Sequence, residues 1–285
     1  PYCFHTLSNG IRLVHRYTPS IVSHCGLTIG VGSRDEKQSE NGTAHFVEHC
    51  LFKGTERRKA FRILDCIDGV GGELNAFTTK EETCVYGLYL EQYHERFLDL
   101  LADIVFHSTF PAQAIEKEKE VILDEINSYL DTPSEQIFDD FEQMVFGNRG
   151  LGRMILGTPN KVKAMRQEKL QDFVRRNYTT DNMVLSTITS MPAEKWFALC
   201  EKYLGREPKT ECTNKRTSSG IYKPTHKRLD RDTYQSHIIV GSKAFSYRNP
   251  KKVPFSLLNN ILGSGAMNSY LNMHIREKYG FTYSI

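Results

Sequence analysis

Residues 41–55 read NGTAHFVEHCLFKGT, and the spacing inside them decides how the rest of the chain is read. Asn41-Gly42 closes a polar loop, Thr43 is placed to cap a helix, and Gly54 is placed to stop it. HFVEHCLF is therefore expected to be helical. On a helix, residues four apart share a face, so His45 and His49 present two imidazoles to one point. Glu48, three residues after the first histidine, stands beside them.

Two imidazoles so placed suit a zinc ion at about 2.0–2.1 Å from each. Glu48 projects next to such an ion without binding it, where a base must be to take a proton from water whose pKa zinc has lowered toward ~7. With 10 His and 34 acidic residues in 285, His-x-x-acid-His arises by chance only about 0.04 times. The bland alternative is a helix that happens to carry two histidines. A catalytic zinc takes three protein ligands and leaves a fourth position open, so one more ligand must come from elsewhere. The segment EKEKEVILDE offers Glu118 and Glu125, seven apart and hence two turns along one helical face. A solvated charge run accounts for Glu116, Lys117, Lys119 and Glu120. It accounts less well for Glu125, which follows Val121-Ile122-Leu123. Asp124 competes with Glu125 for the role, and the relation to Glu118 favours Glu125. Cys50, beside His49, points about 100° away on a helix and reads as a small core residue.

Outward from this helix, strand and helix signals alternate. His5 to Leu7, the turn Ser8-Asn9-Gly10 and Ile11 to His15 read as a hairpin, and Val22 to Val31 as a long strand. A helix over 59–67 ends at Gly69, Gly71 and Gly72, and strands are expected over 73–78 and 83–90. A period near 3.6 predicts helices over 91–107, over 111–129 with Pro111 in the first turn, and over 133–146. Short helices over 161–164 and 167–176, a strand over 183–189 and a helix over 192–204 follow. Residues 205–227 are rich in Lys, Thr, Ser, Gly and Pro and read as a linker. Beyond it come a strand over Ser236 to Gly241, a helix near Pro254, the turn Gly263-Ser264-Gly265, another helix, and a strand start at Thr282-Tyr283-Ser284.

Composition bounds the function. At 285 residues, two domains are the natural expectation. The 37 basic and 34 acidic residues are interspersed, with a net charge of +3, which argues against a nucleic-acid partner. Seven cysteines without C-x-x-C spacing fit a reducing compartment, the bacterial cytoplasm or alternatively the mitochondrial matrix. No apolar run approaches the ~18 residues of a membrane span.

In order along the chain, NGIRLV, GVGSRDE, NGTAHFVEHCLFKGT, GGELNAFTTKEET, EKEKEVILDEI, LGRMILGT and GSGAMNSYLNMHIREKYGFTYS resemble the pitrilysin-like family of inverted zincins. That family includes insulin-degrading enzyme, and the likeness is greatest to its mitochondrial-processing-peptidase branch. The resemblance implies an α+β fold of two related domains, each a mostly antiparallel sheet flanked by helices. It places a zinc-binding domain at 1–205, a linker at 206–225 and a partial second domain at 226–285, in a piece of a longer protein. It implies peptide-bond hydrolysis with one zinc per site held by His45, His49 and Glu125. Glu48 is then the base, and Glu118 orients a ligand histidine or restrains the water. Asn75, Ala76 and Thr78 match an edge strand that binds substrate by adding it as another strand, which favours unfolded peptides. Arg276 and Tyr283 match residues that contact the substrate carbonyl from the second domain across a chamber. Tyr270 stands where an arginine is common. Relatives of this size pair two chains around each chamber, so a homodimer, or a dimer with a related subunit, is expected. The family also holds non-catalytic subunits that lose the zinc residues, whereas all four are here. A peptide-binding module without turnover is the further rival.

Overall fold

The computed structural model describes residues 1–216, 222–263, 266–283 and 285, and divides into two compact units, Pro1–Ile239 and Val240–Ile285. In the first unit, strands β1 (Tyr2–Thr6), β2 (Arg12–Tyr17) and β3 (Val22–Ile29) lead into α1 (Thr43–Leu51) and α2 (Ala60–Asp68). Strands β4 (Glu73–Thr78) and β5 (Thr83–Leu90) then precede α3 (His94–Phe106), α4 (Ala112–Leu130), α5 (Pro133–Phe146), α6 (Pro159–Lys163) and α7 (Gln167–Asn177). Strand β6 (Met183–Thr189) and α8 (Ala193–Tyr203) complete it.

The strands form one sheet in the order β1-β2-β6-β3-β5-β4, antiparallel throughout except where β2 runs parallel to β6. Alternation drives this arrangement. Leu13, Cys25, Leu27, Ile29, Val85 and Leu185 point to one face and are buried with Phe46, Val47, Phe97, Leu101, Ile122 and Trp196 of the helices. Each such aliphatic side chain contributes roughly 1.5–3 kcal/mol by leaving water. Turn chemistry fixes the first register: Gly10, at φ 98°, closes the β1–β2 hairpin through bonds between Leu7 and Ile11. The sheet leaves β4 at its edge, and α1 packs on β4, α4 and α7.

Two local expectations change. Thr43 does not cap α1 with its side chain; Gly42, left-handed at φ 92°, is the capping residue, and the Thr43 hydroxyl donates to the Glu40 carbonyl. Pro111 is the residue before α4 and not part of its first turn.

In the second unit, α9 (Lys252–Leu262) carries Pro254 in its first turn, and a π-helical turn spans Asn272–Glu277. The strand expected over Ser236 to Gly241, which runs across the boundary between the two units, does not form: the stretch is mostly exposed, with no strand paired to it among the described residues. Alternation makes a strand only where a neighbour takes its backbone bonds. Thr282 and Tyr283 lie in no strand, while Ser264 and Gly265 of the expected glycine turn, and Ser284, lie outside the described residues.

Candidate metal centre and active site

Helical spacing brings the two histidine rings of α1 to 4.6 Å between centroids. Glu125, from the facing helix α4, points Oε2 at both: 3.6 Å from His45 Nε2 and 3.7 Å from His49 Nε2. The three ligand atoms lie within 4.8 Å of one another. These separations are too long for hydrogen bonds. They are close to the roughly 3.4 Å expected between donors about 2.1 Å from one tetrahedral centre. Asp124, one residue along α4, is exposed and is not part of this group.

The protonation state suits a cation. Burial, with His49 beside it, pushes His45 down to about 3, so its imidazole is neutral and one of its ring nitrogens has a lone pair to donate. His49 Nδ1 lies 3.0 Å from Glu118 Oε2, which turns Nε2 toward Glu125. Glu118 is itself buried and its other oxygen meets Lys53 Nζ at 2.7 Å. A carboxylate behind a ligating imidazole fixes its tautomer and ring plane, and such partners are worth 10–100-fold in metal affinity. Two imidazoles and a carboxylate are a ligand set that catalytic zinc accepts.

Glu48, one residue before His49, is mostly buried. Burial raises its carboxyl above the ordinary carboxylate range, Glu125 adds to the rise, and the Thr78 hydroxyl and His49 oppose it. A carboxyl raised in this way is a stronger base once ionised, which is what proton abstraction from water requires. Cys50 is buried in the core, its thiol pushed up to about 12 by burial, and is not in the ligand group.

Asn75, Ala76 and Thr78 lie on the free edge of the sheet, and the Ala76 N–H donates to Asn75 Oδ1 at 2.8 Å, so that N–H is not paired with β5. Arg276 and Tyr283 belong to the second unit. Arg276 sits in the π-helical turn with Glu277 at 3.8 Å, and Tyr283 is 92% exposed. Tyr270 lies in the same unit, its ring 4.4 Å from His274.

Sequence reasoning missed two residues here. Lys53 is four residues after His49 and so faces the same side of the chain as it leaves α1, a signal that helical spacing carries. Glu36 is buried against the start of α1, and its carboxyl is pushed up to about 7 by burial, against the donors Ala44, Asn41 and Gly42. Its signal is an acid shortly before a helix start, where negative charge is favoured.

Comparison with known proteins agrees with this geometry. Residues 12–159, which contain His45, His49 and Glu125, match the family model described as Insulinase (Peptidase family M16), and residues 164–285 match the one described as Peptidase M16 inactive domain. The chain is 35% identical over 292 residues to the uncharacterized zinc protease YmxG of Bacillus subtilis, covering 99% of this chain and 68% of that protein. It is 36% identical to the uncharacterized zinc protease ML0855 of Mycobacterium leprae, covering 99% of this chain and 64% of that protein. The chain thus spans about two thirds of the length of these curated relatives. In fold, the peptidase M16 inactive domain from Pseudomonas fluorescens superposes with a TM-score of 0.87 at 18% identity, over 100% of this chain and 69% of that one. Sequence, fold and ligand geometry converge on one assignment: the chain belongs to the M16 peptidase family, the pitrilysin-like inverted zincins.

Proposed function

We propose that the protein is a zinc-dependent endopeptidase acting on unfolded peptides, with His45, His49 and Glu125 as the residues that would hold the metal. The observation that carries this reading is the convergence of two imidazole nitrogens and one carboxylate oxygen within 4.8 Å, one residue from the partly buried Glu48. Zinc bound there supplies Lewis acidity, polarising a carbonyl and lowering the pKa of water toward ~7. Glu48 takes the proton of the attacking water and passes it to the departing amine as the C–N bond breaks. Glu118 keeps His49 in the tautomer that presents Nε2.

Strand β4 is the substrate-binding edge in this proposal: an extended peptide satisfies its backbone groups along Asn75, Ala76 and Thr78. Arg276 and Tyr283 are proposed to donate to the carbonyl oxygen as charge develops on it. The pairing of two chains around a closed chamber, each lending these two residues to the other's zinc, follows from resemblance to the mitochondrial-processing-peptidase branch. The presence of all four zinc-site residues weighs against a non-catalytic partner subunit. The test is zinc content together with cleavage by the full-length protein of a casein-like unfolded chain and of a stably folded domain. About one zinc per site, with the unfolded chain cut and the folded one spared, is expected. Absence of zinc and of cleavage would overturn the enzyme reading, and equal cleavage of both substrates would overturn the chamber.

A further inference from the structure

Glu36 is not one of the three residues that could hold a metal ion, yet its carboxylate takes three hydrogen bonds from the residues that open α1. Oε2 accepts from Asn41 Nδ2 at 3.1 Å and from the Gly42 N–H at 3.0 Å, and Oε1 accepts from the Ala44 N–H at 2.8 Å. A helix start leaves its first N–H groups without intrahelical partners and carries partial positive charge, so a carboxylate is well matched to it. Ala44 immediately precedes His45. The carboxylate therefore grips the turn on which one metal-facing imidazole sits.

Glu36 is tied on its other side as well. Arg153 Nη2 donates to the Glu36 carbonyl at 2.6 Å, and Asn41 Nδ2 also donates to the Met154 carbonyl at 2.9 Å. Gly42 and Gly157 meet backbone to backbone, both at positive φ. A Cβ on Gly157 would lie 2.8 Å from the Gly42 Cα, too close for any other residue type without movement. Just before Glu36, the Ser33 N–H donates to the Thr79 carbonyl at 3.2 Å and the Arg34 N–H to the Lys80 carbonyl at 2.8 Å. Lys80 Nζ in turn reaches the Arg153 carbonyl at 2.9 Å. Segments 32–44, 79–82 and 151–157 thus form one clamp that joins the start of α1 to the turn after β4. This accounts for two sequence motifs, GVGSRDE and LGRMILGT, that contribute no metal-facing side chain.

We infer that Glu36 is a positioning residue of the metal centre, fixing the first turn of α1, and with it His45, relative to the β4–β5 turn. The inference rests on the zinc-site reading proposed above. Its test is Glu36→Gln in the whole protein, which keeps the shape but turns one acceptor into a donor aimed at N–H groups. Zinc affinity by chelator competition and the visible absorption of cobalt bound in place of zinc are measured, with thermal melting alongside. Leu204→Ala, a core deletion just after α8, serves as a control for lost stability. The expected result is a 10–100-fold weaker zinc affinity and an altered cobalt spectrum for Glu36→Gln, with neither change in Leu204→Ala. Wild-type affinity and spectrum in Glu36→Gln would overturn the inference. Should Glu36→Gln yield no folded protein, Asn41→Ala decides, since it removes one of the three donors: a several-fold loss of affinity supports the clamp, and unchanged affinity overturns it. A wild-type protein that binds neither zinc nor cobalt would instead overturn the site reading.

Discussion

Helices α1 and α9 are both apolar-rich, yet seven of the nine residues of α1 are buried and none of the eleven of α9. Helix α1 is enclosed by α4, α7 and β4, so its side chains have one set of neighbours and one geometry. In α9, Leu257, Leu258 and Ile261 remain half exposed or more. The difference teaches where chemical assignments gain structural support. In the first unit, Glu118 holds His49 and Lys53 holds Glu118; in the second, Arg276 has Glu277 at 3.8 Å and Tyr283 is 92% exposed, and the roles proposed for them come from resemblance.

The sharpest way to test the first region is Glu48→Gln. It should leave zinc content unchanged while lowering peptide cleavage by about 10²–10⁴-fold, read from kcat and metal analysis. Normal turnover would remove Glu48 as the base. For the second region, Arg276→Ala with Tyr283→Ala should cost about 10²–10³-fold in kcat. Mixing that double variant with Glu48→Gln should restore part of the activity that each lacks. No recovery despite demonstrated subunit exchange would show that the site is not shared between chains.

Packing itself can be compared directly in this chain. Leu51→Ala in α1 should lower stability by about 2–5 kcal/mol, and Leu257→Ala in α9 by no more than about 0.5 kcal/mol, in denaturant titrations. Equal losses would mean that α9 is as well enclosed as α1.

The smallest effect expected is on pH. Burial lowers His15 below its ordinary 6.5, against the Met191 carbonyl, and also lowers His94. The unfolded chain therefore takes up protons first. Stability from these two is complete above about pH 6.5 and is lost as pH falls below it. Glu36, raised to about 7, acts in the opposite sense: its contribution is complete below 4.5 and is lost as pH rises through about 7. The urea midpoint of His15→Asn should accordingly fall less between pH 7.5 and 5.5 than that of the wild type, and parallel slopes would count against the assignment.

What the residues alone determined is local or periodic. The His45–His49 spacing, the two-turn relation of Glu118 to Glu125, and the strands over 73–78, 83–90 and 183–189 all follow from helix and strand repeats, and the bounds of these strands match residue for residue. Such repeats need only the geometry of one segment. Partners across segments needed the fold. The packing of α4 on α1 brings Glu125 and not Asp124 to the two histidines and places Lys53 on Glu118, and the loop before α1 folds back so that Glu36 takes the Gly42 and Ala44 N–H groups. The failed strand at Ser236 to Gly241 has the same origin. A side chain or strand acquires its role from whatever lies opposite it, and in this chain those neighbours are often tens of residues away in sequence.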